Sequence, residues 1–385
     1  MMPDLTLTER IADNITARAI ILDRVSVGLQ RDIISAFRKL EREIYEEIRA
    51  LSPVEVGPAY QRARLSKLLK QTRDTIRIRF GAMKVEHTAN LLDIGDTTAR
   101  HLIKTQNAMV GVDIKTVSLG RQKLRSIIQN TMIEGAPSRD WWARQERGLH
   151  DRFADKVRGG MLRGRTTDEI VESMRGTRAA SFRDGAFETN RRALKSLVRT
   201  SVQHIANDAR IEQIKENSDI TKAIKWVSTL DLRTTDICMA LDGLTWDSET
   251  FEPIDHDKEF PGPTAHWGCR STQAPVLKDF DSLNKGNPIK TEAGGKTNAE
   301  AIFRRNAAAQ GLDPTQSVLN GRASMTGEVG PKTSFGTWLG RQKQGDKVKL
   351  LGKDRLALFE KKKLNIRQLT DQSNRPLTME ELRRL

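Results

Sequence analysis

The residues of this sequence best suited to chemistry are two cysteines and a histidine. Cys238 and Cys269 are the only cysteines, and His266 precedes the second of them by three residues. Thiolate and imidazole ligands at this spacing can bind one tetrahedral zinc ion, which normally takes four ligands in a structural site. The sequence therefore predicts a zinc site to which three side chains contribute.

Two interpretations of this cluster remain open. The fourth ligand could be water or one of four side chains, namely Asp231, Asp236, Asp242 and His256. Alternatively, both thiols are buried as small apolar residues and His266 makes hydrogen bonds in a loop. The same three aspartates could bind a divalent metal in a nuclease, but Asp and Gly are also what a turn after a strand requires.

Other catalytic arrangements find no support in the sequence. A cysteine nucleophile paired with histidine would need an orienting third group and an oxyanion hole, and neither is recognisable. No phosphate-binding loop of the P-loop type or of the dinucleotide-binding type occurs. The cysteines and the histidine are thus the main candidates for chemistry.

The elements that position the cluster are short strands appended to helices. Residues 223–229 alternate in polarity as a strand does, and 244–246 and 270–277 read as two further strands. A loop rich in Asp, Pro and His, 247–268, separates the last two. We therefore predict a small β module over 221–280 that contains the candidate ligands.

The N-terminal part of the chain is predicted to be a long helical hairpin or arm. Apolar residues recur at steps of three, four and seven over 8–51, which indicates one amphipathic helix. The prolines that follow should end it. A second helix is expected over 59–85, with further helices around 87–135.

The middle of the chain also reads as helical. A helical region opens at Trp141 and extends to about Met174, although Gly159 and Gly160 should interrupt it. Thr167 begins a segment with acidic residues in its first turn, as helix starts often do. Residues 190–217 form another predicted helix.

Beyond the β module, the sequence predicts a linker and a helical tail. Residues 284–298 are rich in Gly, Lys, Asn and Thr, a short helix follows at about 299–310, and 311–334 are rich in turns. The last fifty residues should form two or three short helices. The predicted fold class is thus α+β and predominantly helical. Its four regions are an arm at 1–140, a helical middle at 141–220, the β module at 221–280, and the linker and tail at 281–385.

The composition of the chain limits which classes of partner and of protein are expected. The chain has 385 residues and a formal net charge of +15, which favours a polyanion such as nucleic acid, an anionic membrane surface or an acidic protein. A solvated basic surface would give the same excess. No apolar segment of about 18 residues and no N-terminal signal core occurs, so we expect neither a membrane protein nor an exported one. Two cysteines exclude a disulfide scaffold.

A longer motif extends through the β module. Its elements are Trp226, then Asp231, Arg233 and Thr234, then Asp242 and Gly243, then His266, Cys269 and Arg270. In this order and spacing they closely resemble the phage Mu F-like head morphogenesis family, the minor head proteins of tailed double-stranded DNA bacteriophages. The flanks at 199–210 and 323–359 agree, so the resemblance covers about 195–385.

One departure from the family bears on the metal. Many members carry a second cysteine three residues before the one matched by Cys238, which completes a site of three cysteines and one histidine. Here that position is Thr235. A hydroxyl is a poor zinc ligand, so the complete site cannot be transferred to this chain. The spacing of Asp231 and Arg233 would suit an ion pair that braces the turn after the first strand.

The resemblance implies an assembly role and not an enzyme. It implies a minor capsid protein inside the head, associated with the portal protein at the portal vertex and in contact with the capsid interior. Double-stranded DNA would be contacted without sequence preference. The protein would be found in the virion, and in the host cytoplasm during assembly. The alternative is a metal-dependent nuclease or toxin-like effector derived from a phage head protein.

Overall fold

The structure, a computed structural model, describes residues 7–50, 58–110, 118–130, 132–133, 136–278, 322–325, 327–330 and 332–384. It is predominantly helical with a small antiparallel sheet, which confirms the predicted α+β class. The linker and the short helix predicted at 284–298 and 299–310 lie outside this part of the chain. None of the described helices is long and apolar enough to span a bilayer.

Helices account for most of the ordered elements. They are α1 (Leu7–Arg49), α2 (Pro58–Val110), α3 (Arg121–Asn130), α4 (Ser138–Leu162), α5 (Thr167–Arg175), α6 (Ala186–Lys215), α7 (Asp236–Leu241), α8 (Phe335–Gly340), α9 (Gln344–Glu360) and α10 (Met379–Arg384). A 3-10 turn, Ile366–Leu369, lies between the last two. The strands are β1 (Met132–Ile133), β2 (Ala136–Pro137), β3 (Thr221–Val227), β4 (Thr245–Asp247), β5 (Pro253–Ile254), β6 (Thr272–Leu277), β7 (Arg322–Ser324) and β8 (Gly327–Val329).

The four-stranded sheet forms the β module. Its order is β5-β4-β3-β6, and all neighbouring strands are antiparallel. The three strands predicted from alternation correspond to β3, β4 and β6. Strand β5 was not predicted, because its two residues are too few to show a period of two. β3 is central, and Ile224 faces Trp246 on β4 while Trp226 faces Gln273 on β6.

Two helix boundaries differ from the prediction. The expected break near residue 86 does not occur, because α2 keeps burying one face through Met83, His87 and Leu91. The glycines at 159 and 160 do not end α4 either. Gly160 instead allows α5 to pack closely, since a Cβ there would lie 2.5 Å from Ile170 Cγ1. The predicted helix start at Thr167 is confirmed.

The chain divides into two compact units. The first comprises Met1–Asp23, Ile94–Leu124 and Gln203–Leu385, and the second comprises Arg24–Asp93 and Arg125–Val202. The β module belongs to the first unit. The division of the sequence into four regions stays a prediction.

The second unit has an aromatic core. Phe37 meets Phe80 and Phe187 edge-on, with both pairs of ring centroids 6.1 Å apart. Trp142 makes a similar contact with Phe80 at 6.3 Å. Such edge-to-face pairs add stability beyond the area that they bury.

The first unit contains several apolar clusters. In one of them the C-terminal elements pack against the β module, with Met239 of α7 beside Phe335 and Trp338 of α8. In another, the ends of α1 and α2 within this unit pack with α6 and the sheet, through Ile15, Leu102 and Ile211 among others. Helices and C-terminal segment together hold the β module in place.

Candidate metal centre

Two tight backbone features bring the predicted ligands together. Thr235 caps the N-terminus of α7, and its Oγ1 accepts a hydrogen bond from the backbone N–H of Cys238 at 3.4 Å. In the second segment, Gly268 adopts a φ of 70°, and the N–H of Cys269 donates to the carbonyl of His266 at 3.1 Å. Both ligand segments are therefore fixed by local turns before any metal is considered.

The three predicted ligands lie within one coordination sphere. Sγ of Cys238 is 3.7 Å from Sγ of Cys269 and 3.1 Å from Nε2 of His266. Two thiolates on a tetrahedral zinc, each about 2.3 Å from the ion, lie about 3.8 Å apart. The sulfur separation is thus that of two ligands of one ion. A cavity of about 10 Å³ beside Cys238 and His266 has room for about one water-sized particle.

The imidazole of His266 is oriented for ligation. Its Nδ1 lies 2.9 Å from the carbonyl oxygen of Trp267, which can only accept, so Nδ1 carries the hydrogen in the neutral ring. Nε2 then presents its lone pair to the Thr235 hydroxyl at 2.8 Å and to Cys238. A backbone carbonyl that fixes the tautomer in this way is typical of histidine ligands to metals.

The two buried thiols differ in acidity. The hydrogen bond from the Cys238 thiol lowers the pKa of Cys269 well below its usual range, against the effect of burial and with help from His266. The same interaction, together with burial, raises the pKa of Cys238 well above its usual range. The pair therefore favours one thiolate, which is the form that binds metal.

The four side chains considered as a fourth ligand are all engaged elsewhere. Asp231 pairs with Arg270, Asp236 with Arg355, Asp242 accepts from the N–H groups of Ser228 and Phe335, and His256 contacts the carbonyl of Thr245. Among the residues with described positions, Cys238, His266 and Cys269 are the only group of this kind that could hold a metal ion. Thr235 is the next polar group at the site.

Asp231 is the centre of the turn that follows β3. It forms a bidentate pair with Arg270, in which Nη2 to Oδ1 is 2.7 Å, and it accepts from the N–H of Arg233 at 2.9 Å. Burial opposes its charge, but Arg270 outweighs burial and lowers the pKa of Asp231. The predicted pair with Arg233 exists at 3.7 Å, yet that side chain is 67% exposed. The main partner is therefore Arg270 and not Arg233.

The remaining motif residues support the same turns. Trp226 is buried and its Nε1 donates to Ser228, whose hydroxyl donates in turn to the carbonyl of Cys238. Gly243 has a φ of 78°, and its N–H donates to the carbonyl of Trp226 at 2.9 Å. Asp242 links Ser228 to the first turn of α8 through its two oxygens. The hydroxyl of Thr234 donates to the carbonyl of Thr229.

Some supporting residues were missed from the sequence. Gln203 and Asn207 of α6 donate to the carbonyl of Ser271 at 2.9 and 3.0 Å, directly after the motif arginine. The sequence did contain a signal for Gln203 and Asn207, because they are amides on a helix face that is otherwise buried, where polar groups need hydrogen-bond partners. Ser228 had no comparable signal, since a serine after a strand is common.

These features define the class of protein: a small antiparallel β module holds a cysteine–histidine cluster. The cluster lies between the capped N-terminus of α7 and the turn at Gly268. Residues 151–274 match the family model described as Phage Mu protein F like protein, which confirms the predicted resemblance. The matched segment includes both cysteines and His266, so this part of the chain is similar to the phage Mu F-like family. Comparison with curated proteins gave no match, and neither did comparison with solved structures.

Proposed function

We propose that the protein is a minor head protein of a tailed bacteriophage, required for assembly of an infectious, DNA-filled capsid and associated with the portal vertex. The observation that carries this proposal is the family match over residues 151–274, which spans the complete cysteine–histidine cluster. The phage head is therefore the expected compartment, and the portal protein and capsid interior are the expected partners.

The chemistry of the β module favours attachment over catalysis. Asp231, Asp236 and Asp242, the carboxylates that a nuclease would need together, each contact a different structural partner. Two of them bind arginines, and the third accepts backbone hydrogen bonds. Such contacts make a rigid scaffold, which suits a protein that must hold a fixed position in a particle.

The proposal is tested in a phage that encodes this chain. Purified virions should contain it at far fewer copies than the major capsid protein, and cross-linking should join it to the portal protein. Particles assembled without the chain should have reduced infectivity, restored by supplying the wild-type chain. Its absence from virions would contradict the proposal.

We also propose that Cys238, His266 and Cys269 hold one zinc ion, with the Thr235 hydroxyl or water in the fourth position. The support is the sulfur separation of 3.7 Å and the orientation of His266. When bound, zinc would crosslink α7 to the turn before β6. The ion would act on structure and take no part in a reaction.

Elemental analysis of the purified full-length protein tests the zinc site. About one equivalent is expected in the wild type, and His266→Gln should release it. His256→Gln is the matched control, because that histidine lies in the same module but outside the group. Metal at background level in the wild type would show that the thiols are structural.

The basic excess supports a further proposal, contact with packaged DNA. A net charge of +15 suits phosphate contacts that do not depend on sequence. Unrelated duplexes should bind with similar affinity, and binding should weaken steeply with salt. Negligible binding at about 150 mM salt, where the Debye length is about 8 Å, would assign the charge to a protein partner instead.

A further inference from the structure

Arg210 of α6 carries a charge inside the first unit. Its side chain is only 1% exposed, and its Nη1 donates to Oδ1 of Asn207 at 2.8 Å and to the hydroxyl of Thr272. Both acceptors are neutral, and no carboxylate of the described residues pairs with it. A buried charge without a counter-charge is strongly disfavoured, so this environment calls for an anion.

A second arginine is near enough to the first to repel it. Arg18 of α1 is half-buried, and its Nε is shielded from solvent without a hydrogen-bond partner. It too has no carboxylate partner among the described side chains. Burial, followed by repulsion from Arg18, lowers the pKa of Arg210 to about 9, so Arg210 remains charged at neutral pH. Burial lowers the pKa of Arg18 as well.

His101 of α2 completes the group. The hydroxyl of Thr105 donates to Oδ1 of Asn14 at 3.3 Å, which sets the register of the two antiparallel helices. Arg18 lies four residues after Asn14 on α1, and His101 lies four residues before Thr105 on α2. Because the helices are antiparallel, Arg18 and His101 are therefore at the same level along the pair. Burial, and then the charges of Arg18, Arg210 and Lys104, lower the pKa of His101 to about 4, so it is a neutral hydrogen-bonding group.

We propose that Arg18, His101 and Arg210 form a binding site for a small oxyanion of the phosphate type. Guanidinium groups bind such anions with two parallel hydrogen bonds, and a phosphate would neutralise both arginines at once. The neutral imidazole adds one donor. Arg210 lies deep, so only the phosphate group of a ligand would reach it, whereas the half-buried Arg18 lies nearer to solvent. The phosphate is either free or part of a nucleic acid.

The site is independent of the cysteine–histidine cluster and of any role in the phage head. It lies among α1, α2 and α6, whose apolar residues Ile15, Leu102 and Ile211 pack together in the first unit. Binding there would tie the three helices to one another. We therefore expect the anion to stabilise the folded chain, because a ligand that binds only the native state raises its stability by mass action.

The test measures binding of inorganic phosphate to the full-length protein. Calorimetric titration and thermal unfolding, both at ionic strength matched with sodium chloride, should show saturable binding and a rise in Tm. Arg18→Gln should weaken phosphate binding at least tenfold. Arg100→Gln is the matched control, because that arginine is exposed on α2 and pairs with Asp96 of the same helix. Its phosphate binding should equal that of the wild type.

Two further measurements complete the test. Arg210→Gln is expected to lose the phosphate response as well, and Arg18→Gln, at the half-buried position, remains informative if the deeper variant fails to fold. Competition with a short DNA duplex distinguishes the two sources, since only a DNA phosphate in this site would displace inorganic phosphate. The proposal is overturned if phosphate gives no saturable response beyond chloride, or if Arg18→Gln binds it as the wild type does.

Discussion

Two arginines of the first unit, Arg270 and Arg210, show what a counter-charge does for a buried cation. Arg270 binds Asp231 with both terminal nitrogens, and although burial opposes its charge, Asp231 raises its pKa. Arg210 has only neutral acceptors, and burial lowers its pKa. The first arginine is complete within the fold and braces a turn. Arg210 would need a counter-ion that the described residues do not supply. We therefore assign a structural role to Arg270 and a ligand-binding role to Arg210.

The largest effect should come from breaking the complete pair. Asp231→Ala leaves the largely buried Arg270 without its carboxylate and should lower the free energy of unfolding by about 3 kcal/mol. It also removes the acceptor for the N–H of Arg233. Equilibrium unfolding in urea measures the change.

A double variant provides the control for that prediction. Asp231→Ala combined with Arg270→Met removes both charges, so it should recover much of the lost stability. A loss below about 1 kcal/mol in the single variant would mean that solvent already screens the pair.

The proposed zinc site lacks a ligand in a different sense, because Thr235 stands where the resembled family often has a third cysteine, which would be the fourth ligand. Thr235→Cys should raise zinc affinity at least tenfold, since a thiolate is a far better zinc ligand than a hydroxyl. Competition with a chromophoric chelator measures this. Thr235→Ser keeps the helix cap and should leave affinity unchanged, so equal affinities of the two variants would contradict the proposed fourth position.

A smaller effect of opposite sign is expected at the second arginine. In buffer free of phosphate, Arg210→Met should raise the free energy of unfolding by about 1 kcal/mol, because an apolar side chain replaces an uncompensated charge. Arg270→Met should instead destabilise the protein, since it strands Asp231. If both variants were destabilised equally, the contrast between the two arginines would be lost.

Acid should weaken the Asp231 pair. The pKa of Asp231 is lowered in the folded state, so its contribution to stability is present above the unfolded value of about 3.9 and is lost as pH falls through the folded value. The difference in stability between the wild type and Asp231→Asn should therefore shrink below about pH 4. Unfolding curves are measured for both proteins at intervals of about one pH unit from about pH 2 to about pH 6. If Asp231 did not contribute, the difference in the free energy of unfolding between the two proteins would be the same at every pH.

Sequence patterns predicted the features that depend on residues close together in the chain. Alternation predicted β3, and spacing predicted that His266 and Cys269 share one site, because a turn of three residues fixes their distance. Residue type also predicted one contact between distant segments, that of Cys238 with His266 and Cys269, but other long-range contacts gave no signal in the sequence. Asp231 was paired with Arg233, two residues away, whereas the fold selects Arg270, which is 39 residues away.

The burial of Arg210 has the same origin. On the sequence it is one basic residue on an amphipathic helix, and such residues usually face solvent. Only the packing of α6 against the ends of α1 and α2 in the first unit places it inside. The continuity of α2 past residue 86 also follows from packing, because a continuous buried face overrides the weak local signal for a break.

The smallest effect is expected for the partner that local spacing suggested. Arg233→Ala removes a side chain that is 67% exposed and whose guanidinium lies 3.7 Å from Asp231. Exposed pairs of this kind contribute about 0–1 kcal/mol, so the free energy of unfolding should change by less than about 0.5 kcal/mol. The backbone N–H of residue 233 still donates to Asp231 in the variant, so the turn keeps its brace. A loss as large as that of Asp231→Ala would show that the exposed arginine, and not Arg270, supplies the counter-charge, and the contrast between complete and incomplete buried pairs would then need another basis.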